Sequence, residues 1–175
     1  MRRILTVGHG TLSADEFTSL LRAVGVTEVV DIRSYPGSRH NPQYGREEMS
    51  RWLPMAGIGY TWLKDLGGRR RPIRGSRHTA LRHPSFQAYA DHMETEEFRR
   101  GVDTLLDIGG LPAVMCSESV WWRCHRRLLA DHLVLVRGVE VIHLMQDGRQ
   151  DVHVPSGEAR RDGELVVYDQ QRRPS

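Results

Sequence analysis

The stretch MCSESVWWRCHRR, residues 115–127, holds both cysteines of the chain, with a carboxylate at Glu118, an imidazole at His125, adjacent indoles at Trp121 and Trp122, and arginines at 123, 126 and 127. Thiols beside basic groups can act as nucleophiles, because the reactive species is the thiolate. Cys116 is expected where a strand gives way to a helix. There, unpaired N–H groups, the helix dipole and Arg123 or Arg126 would favour the charged sulfur. The competing reading is a small buried hydrophobe, the common role of a cysteine at a strand end. Glu118 is a candidate acid or base, or a first-turn carboxylate facing the dipole. His125 can activate a thiol or hold phosphate, or stand exposed on its helix. Trp122 can stack on a base or sugar, whereas one indole of the pair is expected to pack.

The same residues raise the question of zinc. Cys116, Cys124, His125 and His143 match a structural site in number. There is no C-x-x-C pair, however, and neighbours on a helix point ~100° apart, so Cys124 and His125 would not chelate together. No metal or cofactor is expected.

Other polar blocks follow the remaining apolar runs. Gly8, His9 and Gly10 form a turn in which backbone amides can approach a ligand, or simply a tight turn. Asp31 and Arg33 either pair with each other or address a substrate. Arg39, His40 and Asn41 lie in the turn sequence PGSRHNP. The segment 64–83, opening KDLGGRRRPIRGSRH, carries seven Lys or Arg and one acid. Its glycines and proline break any helix, so Gly67, Gly68 and Arg69 belong to a basic loop suited to phosphate groups or only to solubility.

Those blocks are positioned by alternating elements. Ile4–Val7 is a β-branched run, and SADEFTSLLRAVG follows it, with Ser13 and Glu16 spaced as a capping box and Gly25 as the stop. TEVVDI is the second strand. Arg46–Met55 is a helix weakened by Pro54, and IGYTWL is the third strand. Ser85 is expected to cap one helix and Thr95 another, with Glu96 and Glu97 in its first turn. LPAVMC is the fourth strand; Val120, Cys124 and Leu128 mark the inner face of the next helix, and VEVIHLM is the fifth strand. Strands alternating with helices predict an α/β fold: a single domain with a mostly parallel five-stranded sheet and helices on both faces. Ligands of such sheets bind beyond the carboxyl ends of the strands, where each polar block above would lie. The expected organisation is a core over 1–145 and an irregular arm over 146–175 packed on it, with a late strand at Leu165–Tyr168.

At 175 residues, 39% hydrophobic and 27% charged, the chain has the composition of a globular domain with a substantial core. Its net charge of +3 permits an anionic partner without requiring one. The opening MRRILTVGHG is too briefly apolar for a signal peptide, and no run approaches the ~20 residues of a membrane span. With only two cysteines, a disulfide framework is not expected, and the expected compartment is the cytoplasm.

Four blocks also resemble a known family. TVGHGT, VDIRSYPGSRHNPQY, YTWLKDLGGRR and MCSESVWWRCHR are similar, in order and spacing, to the signature blocks of the domain-of-unknown-function 488 family, and HVPSGEARRDGELVVY resembles its usual ending. Gly10 departs from the pattern, since family members usually carry serine or threonine there. The resemblance implies a compact α/β domain of bacterial or archaeal type and brings no activity with it.

The residues themselves point to a phosphate-bearing ligand, a nucleotide or nucleic acid, in the strand-end crevice. In the enzymatic form of this reading, a cysteine-dependent transferase or hydrolase, Cys116 is the nucleophile or thiol carrier, Glu118, His125 and His9 handle protons, and Arg33, Arg123 and Arg126 hold anionic groups, with Gly8, Asp31, Gly67, Gly68, Arg69 and Trp122 completing the site. The alternative is a non-enzymatic nucleic-acid-binding module using the loop 64–83.

Overall fold

The structure is a computed structural model describing residues 2–171. Met1 and residues 172–175, the end of the expected arm, lie outside it. β1 (Arg3–Gly8), β2 (Glu28–Asp31), β3 (Gly59–Trp62), β4 (Pro112–Cys116) and β5 (Glu140–Leu144) form a parallel sheet, to which β6 (Gln150–Val152) adds an antiparallel edge. The spatial order is β3-β2-β4-β1-β5-β6. The sheet thus has six strands where five were expected. The sixth is a short hairpin return from β5 through the turn at Gly148, a polar stretch with no apolar alternation to announce it.

Buried on both faces, the strands divide their side chains by alternation. Leu5, Val7, Val29, Ala113 and Met115 meet α1 (Ala14–Ala23) and α2 (Arg46–Met55) through Phe17, Leu21, Met49 and Leu53. Ile4, Val30 and Val114 face the other way. They pack under α3 (Pro84–His92), α4 (Glu96–Asp107) and α5 (Arg126–Leu135), through Tyr89, Phe98, Val102, Leu128 and Leu129. α1 starts at the expected capping box: the Ser13 side chain accepts from Glu16 N–H and Glu16 reaches back to Ser13 N–H. Thr95 caps α4 as expected. The cap of α3 is His83 rather than Ser85, because Pro84 occupies the first helical position and the His83 ring accepts from Ser85 N–H.

From β1 the chain passes through α1 to β2 on one side; from β4 it passes through α5, on the opposite face, to β5 on the other side. Adjacent strands that send the chain in opposite directions open a crevice at their carboxyl ends. Between β4 and α5 the chain does not go straight into a helix. It turns through residues 117–125 with one short 3-10 turn, Trp121–Arg123, so Val120 and Cys124 precede α5 instead of lying along it.

The arm is more regular than expected. β7 (Ala159–Asp162) and β8 (Leu165–Tyr168) form an antiparallel hairpin against α5, with β8 also touching α3. Among the described residues, no helix is long and apolar enough to cross a membrane.

Candidate functional site: a thiol pair in the strand-end cleft

At the junction of β1 and β4 the two outgoing loops continue to pair, His9 N–H with the Cys116 carbonyl at 3.1 Å and Gly10 N–H with that of Ser117 at 3.0 Å. Gly8 makes this approach possible, since a Cβ there would run into the Glu118 carbonyl. Beyond this seam opens a cleft of about 640 Å³.

Both cysteines line it. Cys116 ends β4, Cys124 sits just before α5, and their Sγ atoms are 2.8 Å apart. Cys124 Sγ also faces Nδ1 of His125 at 3.5 Å and receives the Arg126 backbone N–H at 3.5 Å. Burial raises the Cys124 thiol, but the S–H of Cys116, then the His125 ring and the Arg126 charge, outweigh it and hold Cys124 well below the ordinary thiol value. Cys116 shifts the other way, pushed well up by burial and by Cys124. These opposite shifts favour a proton on Cys116 directed at the Cys124 sulfur. The helix-start position expected for Cys116 belongs to Cys124, because the 117–125 turn separates β4 from α5.

Arg126 supplies the charge behind this pair. Its side chain is 1% exposed, donating from Nη1 to Thr6 Oγ1 (3.4 Å) and from Nη2 to the Glu118 carbonyl (2.5 Å). Nε has no partner, and among the described residues no carboxylate pairs with Arg126. A buried cation without a counter-charge is costly. Cys124, whose thiol the Arg126 charge lowers, is the candidate counter-charge.

A hydrogen-bonded chain fixes Arg126 from the far side. His153 Nε2–H donates to Asp131 (2.7 Å), His143 Nε2–H donates to His153 Nδ1 (2.8 Å), and Thr6 O–H donates to His143 Nδ1 (2.6 Å). With both rings neutral and Arg126 donating to Thr6, this order of protons satisfies every pair. Burial above all lowers His143 to about 2, which keeps its ring neutral. Trp121 lies flat on His143, centroids 4.0 Å apart, so it is the packing member of the indole pair.

Around the thiols, the cleft is walled by His9, Arg33, Gly68, Arg69, Glu118, Arg123 and His125, with hydroxyls from Ser34, Ser117 and Ser119. His9 stacks on Tyr44 and donates from Nδ1 to the Gly10 carbonyl at 2.8 Å, leaving a buried Nε2 without a partner. Burial lowers it to about 4, so that Nε2 is a free proton acceptor. Arg33 is gripped by Asp31 through Nε and Nη2 (2.9 and 2.7 Å), and Nη2 also reaches the Tyr44 carbonyl; Nη1 is left for the cleft. Arg69 and Arg123 have no ion-pair partner among the described residues. Glu118 accepts from Val120 N–H at 3.2 Å, and His125 donates from Nε2 to the Ile32 carbonyl at 3.1 Å. Gly68 admits the His125 ring, which a Cβ would strike.

Of the residues expected to make up the site, five stand outside the cleft wall: Gly8, Asp31, Gly67, Trp122 and Arg126. Gly8 and Gly67 are close-approach positions, the latter against Ser34 Oγ. Asp31 and Arg126 act from behind the wall, and Trp122 projects outward, 47% exposed. Of the basic loop only Gly68 and Arg69 line the cleft, while Arg70 is paired with Glu97, and Arg77 with Glu94 and Asp162. Ser117 follows the end of β4 between Cys116 and Glu118, as the sequence places it, whereas nothing in the sequence assigns a role to the three serines.

His143, weighed as a zinc ligand, faces Thr6 and His153 instead. Among the described residues, His78, Asp91 and Glu94 bring ligand atoms within 4.8 Å of one another. His78 Nδ1 accepts from Tyr168 N–H, so its ring proton sits on Nε2, toward Glu94 at 3.2 Å. A cation would need that same Nε2 lone pair; the cluster is a hydrogen-bonded clamp joining α3 to β8.

Comparison with known proteins finds no match among curated proteins and none among solved structures. The family described as "Domain of unknown function DUF488" matches residues 13–133, a span running from the cap of α1 into α5 and including Cys116, Cys124 and Arg126. That is more than half of the chain, and the protein belongs to the DUF488 family.

Proposed function

We propose that the cleft binds a phosphate-bearing ligand and presents it to a thiol nucleophile, Cys124 with Cys116 as its proton-holding partner. The carrying observation is the shared cleft: a thiol pair backed by the carboxylate-free Arg126 lies with Arg69 and Arg123, which meet no carboxylate among the described residues, and with Nη1 of Arg33, a donor left over from its pairing with Asp31. Such cations favour an anion in a confined site. His9 offers a neutral ring nitrogen for proton uptake and Glu118 a carboxylate at the rim.

Calorimetric titration of the reduced protein with pyrophosphate tests this. Saturable binding is expected, weakened at least tenfold by Arg69→Ala with Arg123→Ala, together with slower alkylation of Cys124 in the complex. Absence of binding at millimolar pyrophosphate would remove the anion site.

A second reading rests on Arg71, Arg74 and Arg82, exposed on the 64–83 loop and without ion pairs among the described residues. It makes the loop a nucleic-acid contact, with oligonucleotide affinity falling steeply as salt rises. Affinity indifferent to salt would dismiss it.

A further inference from the structure

We infer that Cys124 and Cys116 act as an attacking and a resolving thiol in exchange with an anionic small-molecule disulfide. The inference deepens the proposed function, resting on its cleft cations for the class of substrate.

Three features of the pair lead there. The first is proximity. The sulfurs stand 2.8 Å apart as free thiols, and a disulfide needs ~2.05 Å, so less than about 1 Å of movement joins them. The second is an asymmetry of support. Cys116 is fixed at the end of a central strand. Cys124 closes the non-helical 117–125 turn, which can give where a helix would resist. The third is chemical division. Cys124 has the helix N-terminus, His125 and Arg126 around it, the surroundings that make a thiolate, while Cys116 keeps its proton. An attacking thiol should be charged, and a resolving thiol should wait.

The steps balance. The Cys124 thiolate attacks one sulfur of R–S–S–R′, forming Cys124–S–S–R and expelling R′–S⁻, which takes a proton from solvent. Cys116 then attacks the Cys124 sulfur. The Cys116–Cys124 bond forms, the bond to R breaks, and R–S⁻ leaves with the proton that Cys116 gives up. Two protein thiols are oxidised, and the substrate disulfide is reduced to two thiols. Arg69, Arg123 and Arg33 Nη1 select a substrate bearing carboxylates or phosphates.

The test uses the intact reduced chain with 5,5′-dithiobis(2-nitrobenzoate), a dicarboxylate disulfide. The native protein should release two equivalents of coloured thiolate and finish two hydrogens lighter, with no adduct. Cys116→Ser should release one equivalent and retain a mixed disulfide on Cys124; Cys124→Ser should react at least tenfold more slowly. A native protein that keeps stable adducts, or does not react while folded, overturns the exchange, whatever the serine variants do. The substrate class is read separately. Glutathione disulfide should outpace the cationic cystamine at least tenfold, once each rate is normalised to that with free cysteine. Equal rates would overturn the anionic class. Inert thiols in a protein that still binds pyrophosphate would end the exchange and leave the anion cleft. Completed exchange without pyrophosphate binding would end the cleft reading alone.

Discussion

Asp131 accepts a 2.7 Å hydrogen bond from His153 with neither side chain exposed to solvent. The same carboxylate takes Ser156 N–H and O–H at 3.0 and 2.8 Å and Tyr168 O–H at 2.8 Å. One residue of α5 thus ties down His153, the Ser156 turn and β8. Asp131→Asn puts an amide N–H₂ where donors converge, leaving at least one buried donor facing another. The expected loss is about 2–4 kcal/mol, against about 1 kcal/mol for Tyr168→Phe. Urea unfolding followed by tryptophan fluorescence reads both. Equal small losses would mean that the carboxylate is not the hub of the arm.

Gly68 gives a test confined to the site. A Cβ at this position overlaps His125 Nδ1, the atom facing Cys124, and the ring is further held by its bond to the Ile32 carbonyl and by Tyr89. Gly68→Ala should therefore push the imidazole away from the sulfur. Alkylation of Cys124 by iodoacetamide near neutral pH is expected to slow several-fold, with the urea midpoint falling only modestly because the loop is at the surface. Unchanged alkylation would show that His125 does not support the thiolate.

How much of this was legible in sequence differs from residue to residue. The capping box of α1, the Thr95 cap and the apolar strands are local patterns, and local patterns survive folding. Strand-end clustering of His9, Arg33, Gly68 and Cys116 follows from the α/β rule once the strands are found. The division of labour between the cysteines does not. It turns on SESVWWR forming a turn with one short 3-10 element, and nothing in its period distinguishes that from an early helical turn. Nor does sequence reveal that Arg126 is buried without a carboxylate, or that Asp131 serves His153 and Tyr168, partners 22 and 37 positions away. Those contacts are made by packing between elements, which spacing does not encode.

The buried histidines set the acid side of stability. Burial lowers His9 and His132 to about 4 and His143 to about 2. In the unfolded chain each ring takes up its proton near ~6.5, so below that pH the unfolded state binds more protons than the folded one. Their contribution is complete above about pH 6.5 and is lost as pH falls toward 4, by roughly 1.4 kcal/mol per pH unit for each ring. The urea midpoint should drop clearly between about pH 7.5 and about pH 5, above the range where ordinary carboxylates titrate. His132→Leu should flatten the slope by one proton. It should cost little, because Nδ1 of His132 already lacks a partner and its ring packs edge-on against Phe98. A midpoint level across this range would mean that these rings are protonated in the folded state.

Arg126 decides whether the sulfurs form a charged centre or only fill space. If its guanidinium is balanced by Cys124, then Arg126→Gln removes the cation and leaves a side chain that can still donate to the Glu118 carbonyl or to Thr6. The Cys124 thiolate loses its buried counter-charge, while the Cys116 S–H and His125 still favour the charged sulfur. Its alkylation profile, expected to titrate well under the free-thiol value of ~8.5 in the native protein, should move upward toward that value. Stability should fall less than the 3–5 kcal/mol typical of breaking a buried carboxylate pair, since the sulfur left behind can become neutral by taking a proton. Leaving the variant's alkylation profile where it was would separate Arg126 from the thiols and return Cys124 to packing.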